Sequence, residues 1–204
     1  MPDHADIEGL KKAAVNCKGC ELWQGATQVV FSAGNPQAPL ALVGEQPGDV
    51  EDRKGIPFVG PAGRLLQDAL DAAGIPREDV YVTNAVKHFR FTERGKRRIH
   101  ATPHVSHIKA CLPWLEAELT LVDPALIVCL GATAARALLG STFRVTKQRG
   151  EVLELTTPVG IRPVLATVHP SAVLRATAEE RNEAFGGLVS DLRTAREAAT
   201  SHER

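Results

Sequence analysis

Five short apolar runs, separated by segments of helical periodicity, constrain the fold of this chain more than any other feature. The runs are Leu40 to Gly44, Val80 to Val86, Leu126 to Leu130, Val152 to Leu155 and Val164 to Val168. Several are apolar on both faces, which is typical of strands buried in a parallel sheet. Helical patterns cover Gly63 to Ala73, Val105 to Thr120, Thr133 to Leu139 and Glu179 to Ala198. This alternation predicts an α/β fold, a three-layer α/β/α sandwich around a central, mainly parallel four-stranded sheet.

Length and composition indicate one domain. The 204 residues, 44% of them hydrophobic, are enough for one hydrophobic core, so we expect a single domain over residues 1–204. No apolar run approaches the roughly 20 residues that span a bilayer. Residues 1–6 are polar and acidic and lack the pattern of a signal segment. We therefore expect a cytoplasmic monomer with no membrane partner.

The charges are unevenly distributed although the formal net charge is zero. Between residues 87 and 100, a single acid, Glu93, accompanies the six basic residues Lys87, Arg90, Arg94, Lys96, Arg97 and Arg98. A basic segment on an otherwise acidic body suits contact with nucleic-acid phosphates. A solvated loop is an equally good interpretation of the charge run alone.

Polar groups follow three of the predicted strands. They lie in Gly44-Glu45-Gln46-Pro47-Gly48, at Asn84, and in His169-Pro170-Ser171. In open α/β sheets, ligands bind where loops leave the carboxyl ends of the strands. The topology therefore predicts that a carboxylate, two amides and an imidazole converge on one edge of the sheet.

The four cysteines indicate metal binding or burial rather than disulfides. Cys17 and Cys20 form a pair with a two-residue gap, and Cys111 is a third candidate ligand. Disulfides are rare in reducing compartments, which favours a metal site. Cys129 lies in an apolar run, which indicates a buried, inert thiol.

These motifs resemble those of the family 4 iron–sulfur uracil-DNA glycosylases. The resemblance is carried by Gly44 to Gly48, the Gly55 to Gly63 run, Thr83 to Lys87 and His169 to Ser171. The segment from Lys96 to His100 resembles the insert of the UdgX group, relatives that form a covalent adduct with DNA after removing uracil. The similarity extends from Cys17 through the last helix. It implies a bacterial base-excision repair enzyme whose partner is uracil-containing DNA, single-stranded and double-stranded, and which is nucleoid-associated when bound to that DNA.

The same resemblance implies a [4Fe–4S] cluster. Its ligands would be Cys17, Cys20, His88 and Cys111, with His88 at the position where family 4 has a cysteine. We expect a structural role, in which the cluster ties the N-terminal arm, the segment that carries Cys17 and Cys20, to the sheet. On spacing alone, three thiolates and one imidazole suit zinc equally well.

The resemblance also assigns the pocket that would receive the extruded base. Phe58 is the stacking platform, and Asn84 pairs with N3–H and O4 of uracil, an arrangement that rejects cytosine. His169 donates to uracil O2 and stabilises the leaving anion. Glu45 lies on the sugar side as base or electrostatic stabiliser, and Gln46 positions the attacking group. Gly44 and Gly48 belong to the same substrate-binding loop, and the backbone at residues 60–63, where a helix begins, is expected to hold a DNA phosphate.

His100 is the candidate nucleophile that would trap the sugar. A well-oriented group has an effective concentration on the order of 10⁵ M, so an imidazole held near C1′ outcompetes water. Expected DNA contacts come from Lys96, Arg97, Arg98, Ser171 and Arg175. Arg98 is also expected to order the insert, and Leu174 with Arg175 to wedge into the gap left by the base. His104 and His107 are interpreted as surface or packing residues.

Three other functions are alternatives to covalent capture of the sugar by His100. One is a conventional uracil-DNA glycosylase that turns over, with His100 only lining the pocket. Another is a non-catalytic module that binds uracil-DNA reversibly, with an affinity that falls with salt. A nucleotide-binding α/β protein has no support, because no Gly-Lys-Ser/Thr follows a glycine-rich turn.

Overall fold

A computed structural model describes residues 6–202 of the chain. The strands are β1 Ser32–Gly34, β2 Leu40–Gly44, β3 Val80–Asn84, β4 Phe91–Arg94, β5 Arg97–His100, β6 Leu126–Leu130, β7 Val152–Thr157 and β8 Gly160–Thr167. The helices are α1 Ile7–Ala14, α2 Asp49–Lys54, α3 Pro61–Ala73, α4 Val105–Val122, α5 Ala132–Leu139, α6 Val145–Gln148, α7 Pro170–Arg175 and α8 Arg181–His202. None of these helices is long and apolar enough to cross a membrane.

The predicted α/β/α sandwich is confirmed, but its sheet has six strands rather than four. The strand order is β1-β3-β2-β6-β8-β7. The four inner strands are parallel, and β1 and β7 are antiparallel edges. The strand β7 starts where the pattern predicted it and pairs with β8 as a hairpin. The short β1 has too few residues for a recognisable alternation.

The hydrophobic core lies on both faces of the sheet because the inner strands alternate their side chains. In β2, Leu40 and Leu42 pack on the face covered by α3, α7 and α8. Ala41 and Val43 pack on the other face, against α4 and α5. Cys129 of β6 belongs to this second layer and is completely buried, in agreement with the inert thiol predicted for it.

The carboxyl ends of the parallel strands meet at one edge of the sheet. Backbone hydrogen bonds continue past the strands there: Ala85 N–H donates to Gly44 C=O and Val86 N–H to Glu45 C=O. Gly131 N–H likewise donates to Thr167 C=O. The loops that carry the polar motifs are thereby held side by side.

The basic segment folds as a separate hairpin, β4–β5, which the sequence analysis treated only as an insert. Its register pairs Phe91 with His100 and Glu93 with Arg98. The strands are joined by Gly95 and Lys96, and Gly95 has a φ of 61°. Glycine at the first position of a two-residue turn is typical of β-hairpins, and this signal could have predicted the element.

Candidate active site

A cavity of about 850 Å³ opens at the carboxyl edge of the sheet. Its walls include nine residues singled out from the sequence: Glu45, Gln46, Gly48, Phe58, Asn84, His100, His169, Ser171 and Arg175. The cavity thus brings together side chains from the loops after β2, β3 and β8 and from the hairpin. Gly44 and the basic residues 96–98 do not line it.

Phe58 forms one wall in a strained backbone conformation. Its φ of 57° lies in the left-handed region, which non-glycine residues rarely adopt. Two glycines allow this placement by close approach. A Cβ on Gly63 would lie 1.7 Å from the Phe58 carbonyl oxygen, and one on Gly44 would lie 2.7 Å from the Phe58 ring. Gly44 therefore packs behind the Phe58 ring, where a larger residue would displace the ring.

Glu51 is a wall residue that the sequence analysis missed. Its carboxylate accepts a 2.7 Å hydrogen bond from Gly60 N–H and links α2 to the loop that carries Phe58. A Cβ on Gly48 would lie 2.7 Å from Glu51 Oε2, so the glycine makes room for this side chain. No local sequence pattern marks Glu51, which lies seven residues after Gly44, as a pocket residue.

Asn84 ends β3 with only 2% of its surface exposed. A Cβ on Gly44 would lie 2.4 Å from Asn84 Oδ1, so the Asn84 amide packs directly against Gly44. The neighbouring Lys87 donates to Asn84 C=O at 2.9 Å and forms a buried ion pair with Glu118 of α4. Lys87 is therefore a structural cation and does not add to the basic surface inferred from the charge run.

His169 is held as a neutral imidazole. Burial lowers the pKa of His169 to about 4. Its Nδ1 accepts a 3.1 Å hydrogen bond from Ser171 N–H and lies 2.8 Å from the Ser171 hydroxyl. Because Nδ1 is the acceptor, Nε2 carries the proton. The ring thus offers a donor to a ligand in the cavity, and the Ser171 hydroxyl is engaged with the ring instead of free for a phosphate.

His100 and Glu45 meet across the cavity. His100 Nε2 lies 3.0 Å from Glu45 Oε1, and the hydroxyl of Thr133 donates to Glu45 Oε2. Burial alone raises the pKa of Glu45, but the hydrogen bonds from His100 and Thr133 outweigh it and hold this pKa below its usual value. The arrangement is an imidazole in contact with a carboxylate that stays ionised near neutral pH.

The hairpin that carries His100 is anchored at its base by Gln46. The Gln46 amide nitrogen donates to the carbonyls of Arg90, at 3.0 Å, and Ala101, at 3.1 Å. Its carbonyl oxygen accepts from Arg90 N–H at 3.0 Å. Both polar groups of the Gln46 side chain therefore bind the hairpin stem, which is the backbone of Arg90 and Ala101 just outside the two strands. Gln46 thus positions His100 by holding the backbone of the hairpin.

A second anchor comes from Arg98, which lies on the same hairpin face as His100. Its guanidinium pairs with Asp49 at 2.5 Å and Asp52 at 2.7 Å, and it stacks on the rings of Phe89 and Phe91. Only 15% of the Arg98 side chain is exposed. Arg98 thus faces the protein, and its charge is paired with two carboxylates that hold the hairpin to α2.

The exposed cations lie near the turn of the hairpin and beside α7. Lys96 and Arg97 are exposed on the hairpin, and Arg175 is exposed at the end of α7 and lines the cavity. Leu174, 38% exposed, lines the cavity beside it. The basic surface is therefore smaller than the charge run indicates, and of these three cations only Arg175 lines the cavity.

The predicted metal ligands come from three parts of the chain. Cys17 and Cys20 follow α1, His88 follows β3, and Cys111 lies in α4. Interaction with the Cys111 thiol lowers the pKa of Cys20 to about 6. A Cβ on Gly19 would lie 3.7 Å from Cys17 Sγ and 3.8 Å from the Ala110 carbonyl, so the cysteine loop packs against α4 next to Cys111.

One of the predicted metal ligands has a buried nitrogen with no partner among the described residues. Within residues 6–202, no three His, Cys, Asp or Glu side chains converge as closely as a single metal ion requires. His88 is buried and its Nδ1 has no hydrogen-bond partner among the described residues. Buried polar atoms are usually hydrogen-bonded, so an unpaired ring nitrogen here fits a metal ligand.

His104 and His107 lie outside the cavity. His107 is buried. Its Nδ1 accepts from His104 N–H at 3.0 Å, and its Nε2 donates to Glu21 Oε1 at 2.6 Å. His104 is exposed at the start of α4 and contacts Arg90 at 2.8 Å. They bridge the N-terminal arm, α4 and the hairpin stem by packing and hydrogen bonds.

Comparison with known proteins gives the family context of this cavity. The sequence model of the "Uracil DNA glycosylase superfamily" matches residues 31–193. A type-4 uracil-DNA glycosylase of Thermotoga maritima is 37% identical over 175 residues, covering 85% of this chain and 86% of that protein. The type-4 enzyme of Archaeoglobus fulgidus is 34% identical over 172 residues, covering 82% and 83%. A DNA polymerase of Bacillus phage SP01 is 33% identical over 143 residues, which are 14% of its length.

Proposed function

The chain belongs to the uracil DNA glycosylase superfamily, and from that premise we propose that it removes uracil from DNA and ends the reaction as a covalent adduct between His100 and the sugar. Glycosylase activity rests on the family and on the type-4 relatives that match most of the chain. The adduct rests on one observation in the cavity, the 3.0 Å contact between His100 Nε2 and Glu45 Oε1.

Recognition uses the residues that line the cavity. The extruded base stacks on Phe58, and such stacking contributes roughly 1–3 kcal/mol per base. Asn84 accepts from N3–H and donates to O4, which cytosine cannot match. The neutral His169 donates from Nε2 to O2. When the bond from C1′ to N1 of the base breaks, its electron pair leaves with uracil and this hydrogen bond stabilises the anion.

Trapping uses the opposite side of the cavity. The Glu45 carboxylate stabilises the positive charge that develops on the sugar and accepts the proton from His100 Nε2. The freed lone pair on Nε2 then forms the bond to C1′. Gln46 and Arg98 fix the hairpin, so the imidazole is already oriented and outcompetes water. Lys96, Arg97 and Arg175 neutralise flanking phosphates.

The second candidate is a conventional enzyme that releases abasic DNA by hydrolysis. It is favoured by the names of the relatives, which are type-4 uracil-DNA glycosylases without mention of an adduct. The two candidates share uracil recognition and differ only in whether water or His100 reaches C1′.

The test is incubation with a uracil-containing single-stranded oligonucleotide, followed by a denaturing gel. We expect the wild-type chain to shift to a protein–DNA species that survives denaturation, and His100→Ala to release uracil without that species. A thymine oligonucleotide and Gln67→Ala, on α3 outside the cavity, are the controls. An adduct in His100→Ala would contradict the assignment. Free abasic DNA from the wild-type chain would establish the conventional enzyme, and no uracil release would leave only a binding module.

We further propose that Cys17, Cys20, His88 and Cys111 hold a [4Fe–4S] cluster. Support comes from the partnerless, buried His88 nitrogen and from the packing of the cysteine loop against Cys111. When bound, the cluster supplies a cross-link between the N-terminal arm, the turn after β3 and α4. The uracil chemistry is assigned to the residues that line the cavity.

A further inference from the structure

Thr133 lies at the start of α5 and faces the cavity. The strand β6 ends at Leu130, Gly131 turns the chain with a φ of 90°, and α5 begins at Ala132. Thr133 therefore occupies the first turn of the helix, and its hydroxyl donates to Glu45 Oε2. The two residues are separated by 88 positions in the sequence, so tertiary folding alone brings them together.

The two oxygens of Glu45 have different partners. Oε1 faces His100 Nε2 at 3.0 Å, and Oε2 accepts from Thr133. A carboxylate held at both oxygens cannot rotate freely about its last torsion. The N-terminal end of α5 also carries a partial positive charge from the helix dipole, which favours the ionised carboxylate.

We propose that Thr133 is a positioning residue that orients the Glu45 carboxylate toward the reacting sugar and His100. The proposal rests on the function given above, in which Glu45 acts as an anion. Thr133 would act through Glu45 and form no bond to uracil or to C1′.

The groups that face Glu45 define what Thr133 contributes. They are His100 from the hairpin, Thr133 from α5, and His169 from the loop before α7, with Arg175 beside His169. Burial raises the pKa of Glu45, and the hydrogen bonds from His100 and Thr133 lower it. Removing the Thr133 hydroxyl removes one of these two bonds and raises the pKa of Glu45. Since the anion is the active form, the acidic limb of the activity profile then moves to higher pH.

The experiment measures single-turnover release of uracil between pH 4 and 9, with adduct yield recorded in parallel. We expect Thr133→Val to release uracil about 10- to 100-fold more slowly at neutral pH, the effect of one hydrogen bond to a charged group. We expect its acidic limb to lie at higher pH than that of the wild-type chain. Thr133→Ser keeps the hydroxyl and is the matched control, with a wild-type profile expected.

A double-mutant cycle separates positioning from a general structural effect. In a Glu45→Gln background, Thr133→Val should add almost no further loss of rate. Equal losses in both backgrounds, or an unshifted acidic limb, would overturn the proposal. Thr133→Ala repeats the test if the valine variant unfolds at lower urea concentration. If the wild-type chain releases uracil without forming the adduct, covalent capture by His100 is refuted. The role of Thr133 can still be tested, because its readout is the release of uracil.

Discussion

At the scale of single residues, the site depends on two histidines in different chemical environments. His100 is half exposed, with 50% of its side chain accessible, and contacts the anionic Glu45. His169 is enclosed, and burial keeps it neutral with Nε2 as the donor. In the proposed reaction, the same residue type serves as nucleophile on the sugar side and as a neutral hydrogen-bond donor on the base side. Environment decides the role.

The environment of His169 predicts a pH dependence of stability. Its folded pKa of about 4 lies below the value of about 6.5 expected in the unfolded chain, so the unfolded chain binds the proton more readily. The free energy of unfolding therefore falls as pH drops from about 6.5 toward 4, by on the order of 2–3 kcal/mol from this group. His169→Gln should lose less stability than the wild-type chain over this range. Urea unfolding at pH 7 and 4.5 measures the difference, and equal losses in both proteins would contradict the assignment.

At the scale of elements, the hairpin β4–β5 decides where His100 lies. Cross-strand neighbours share a face of an antiparallel pair, so Phe91 and His100, and Glu93 and Arg98, lie on one face. That face turns toward the protein, where Asp49 and Asp52 bind Arg98 and Gln46 holds the stem. The insert is therefore a hairpin held to the protein by these contacts, although its composition is typical of a solvated loop.

Loosening the stem should affect trapping more than uracil removal. Gln46→Ala removes three hydrogen bonds to the backbone of Arg90 and Ala101, and each contributes about 1 kcal/mol. We expect the rate of adduct formation to fall about tenfold or more, since orientation of His100 is lost. Uracil release, which uses Asn84 and His169 on other elements, should change much less. Rapid-quench measurement of both products tests this, with Gln67→Ala on the exposed side of α3 as control; parallel losses of both rates would refute the positioning role.

At the scale of the whole molecule, the N-terminal arm is joined to the domain core beside the site. His107 of α4 pairs with Glu21, the residue after Cys20. His104 contacts Arg90 at the hairpin stem. The proposed cluster would strengthen this junction, because its four ligands come from the arm, the turn after β3 and α4.

The cluster makes a prediction about global stability. Cys20→Ala should lose iron and the visible absorption of thiolate-bound iron, and should melt at a lower temperature than the wild-type chain. For a domain of this size each 1 kcal/mol lost corresponds to about 2–4 °C. Cys129→Ala is the matched control, since that thiol is buried in the sheet core and should leave iron binding intact. A colourless wild-type protein that contains zinc would contradict the cluster assignment, as would full iron content in Cys20→Ala.

Much of the cavity could be predicted from sequence because its motifs follow strand ends. Apolar runs marked β2, β3 and β8, and the carboxyl-edge rule placed Glu45, Asn84 and His169 together. Glu51 and Thr133 were missed because a carboxylate in a short helix and a threonine in a helix turn carry no local pattern. The short β1 and the hairpin were missed because three- and four-residue strands show too little alternation.

The sequence by itself determined the layered α/β fold, the strand ends that carry the pocket residues, and the family. These follow from periodicity and motifs, which are properties of neighbouring residues. Only the tertiary structure decided that Arg98 is paired with Asp49 and Asp52 while Arg97 next to it is exposed, that Lys87 is paired with Glu118, and that Thr133 holds Glu45. The physical reason is that each of these contacts joins residues tens of positions apart. The energy of such a contact depends on packing and desolvation at the place where the two segments meet, and neither segment carries that information alone.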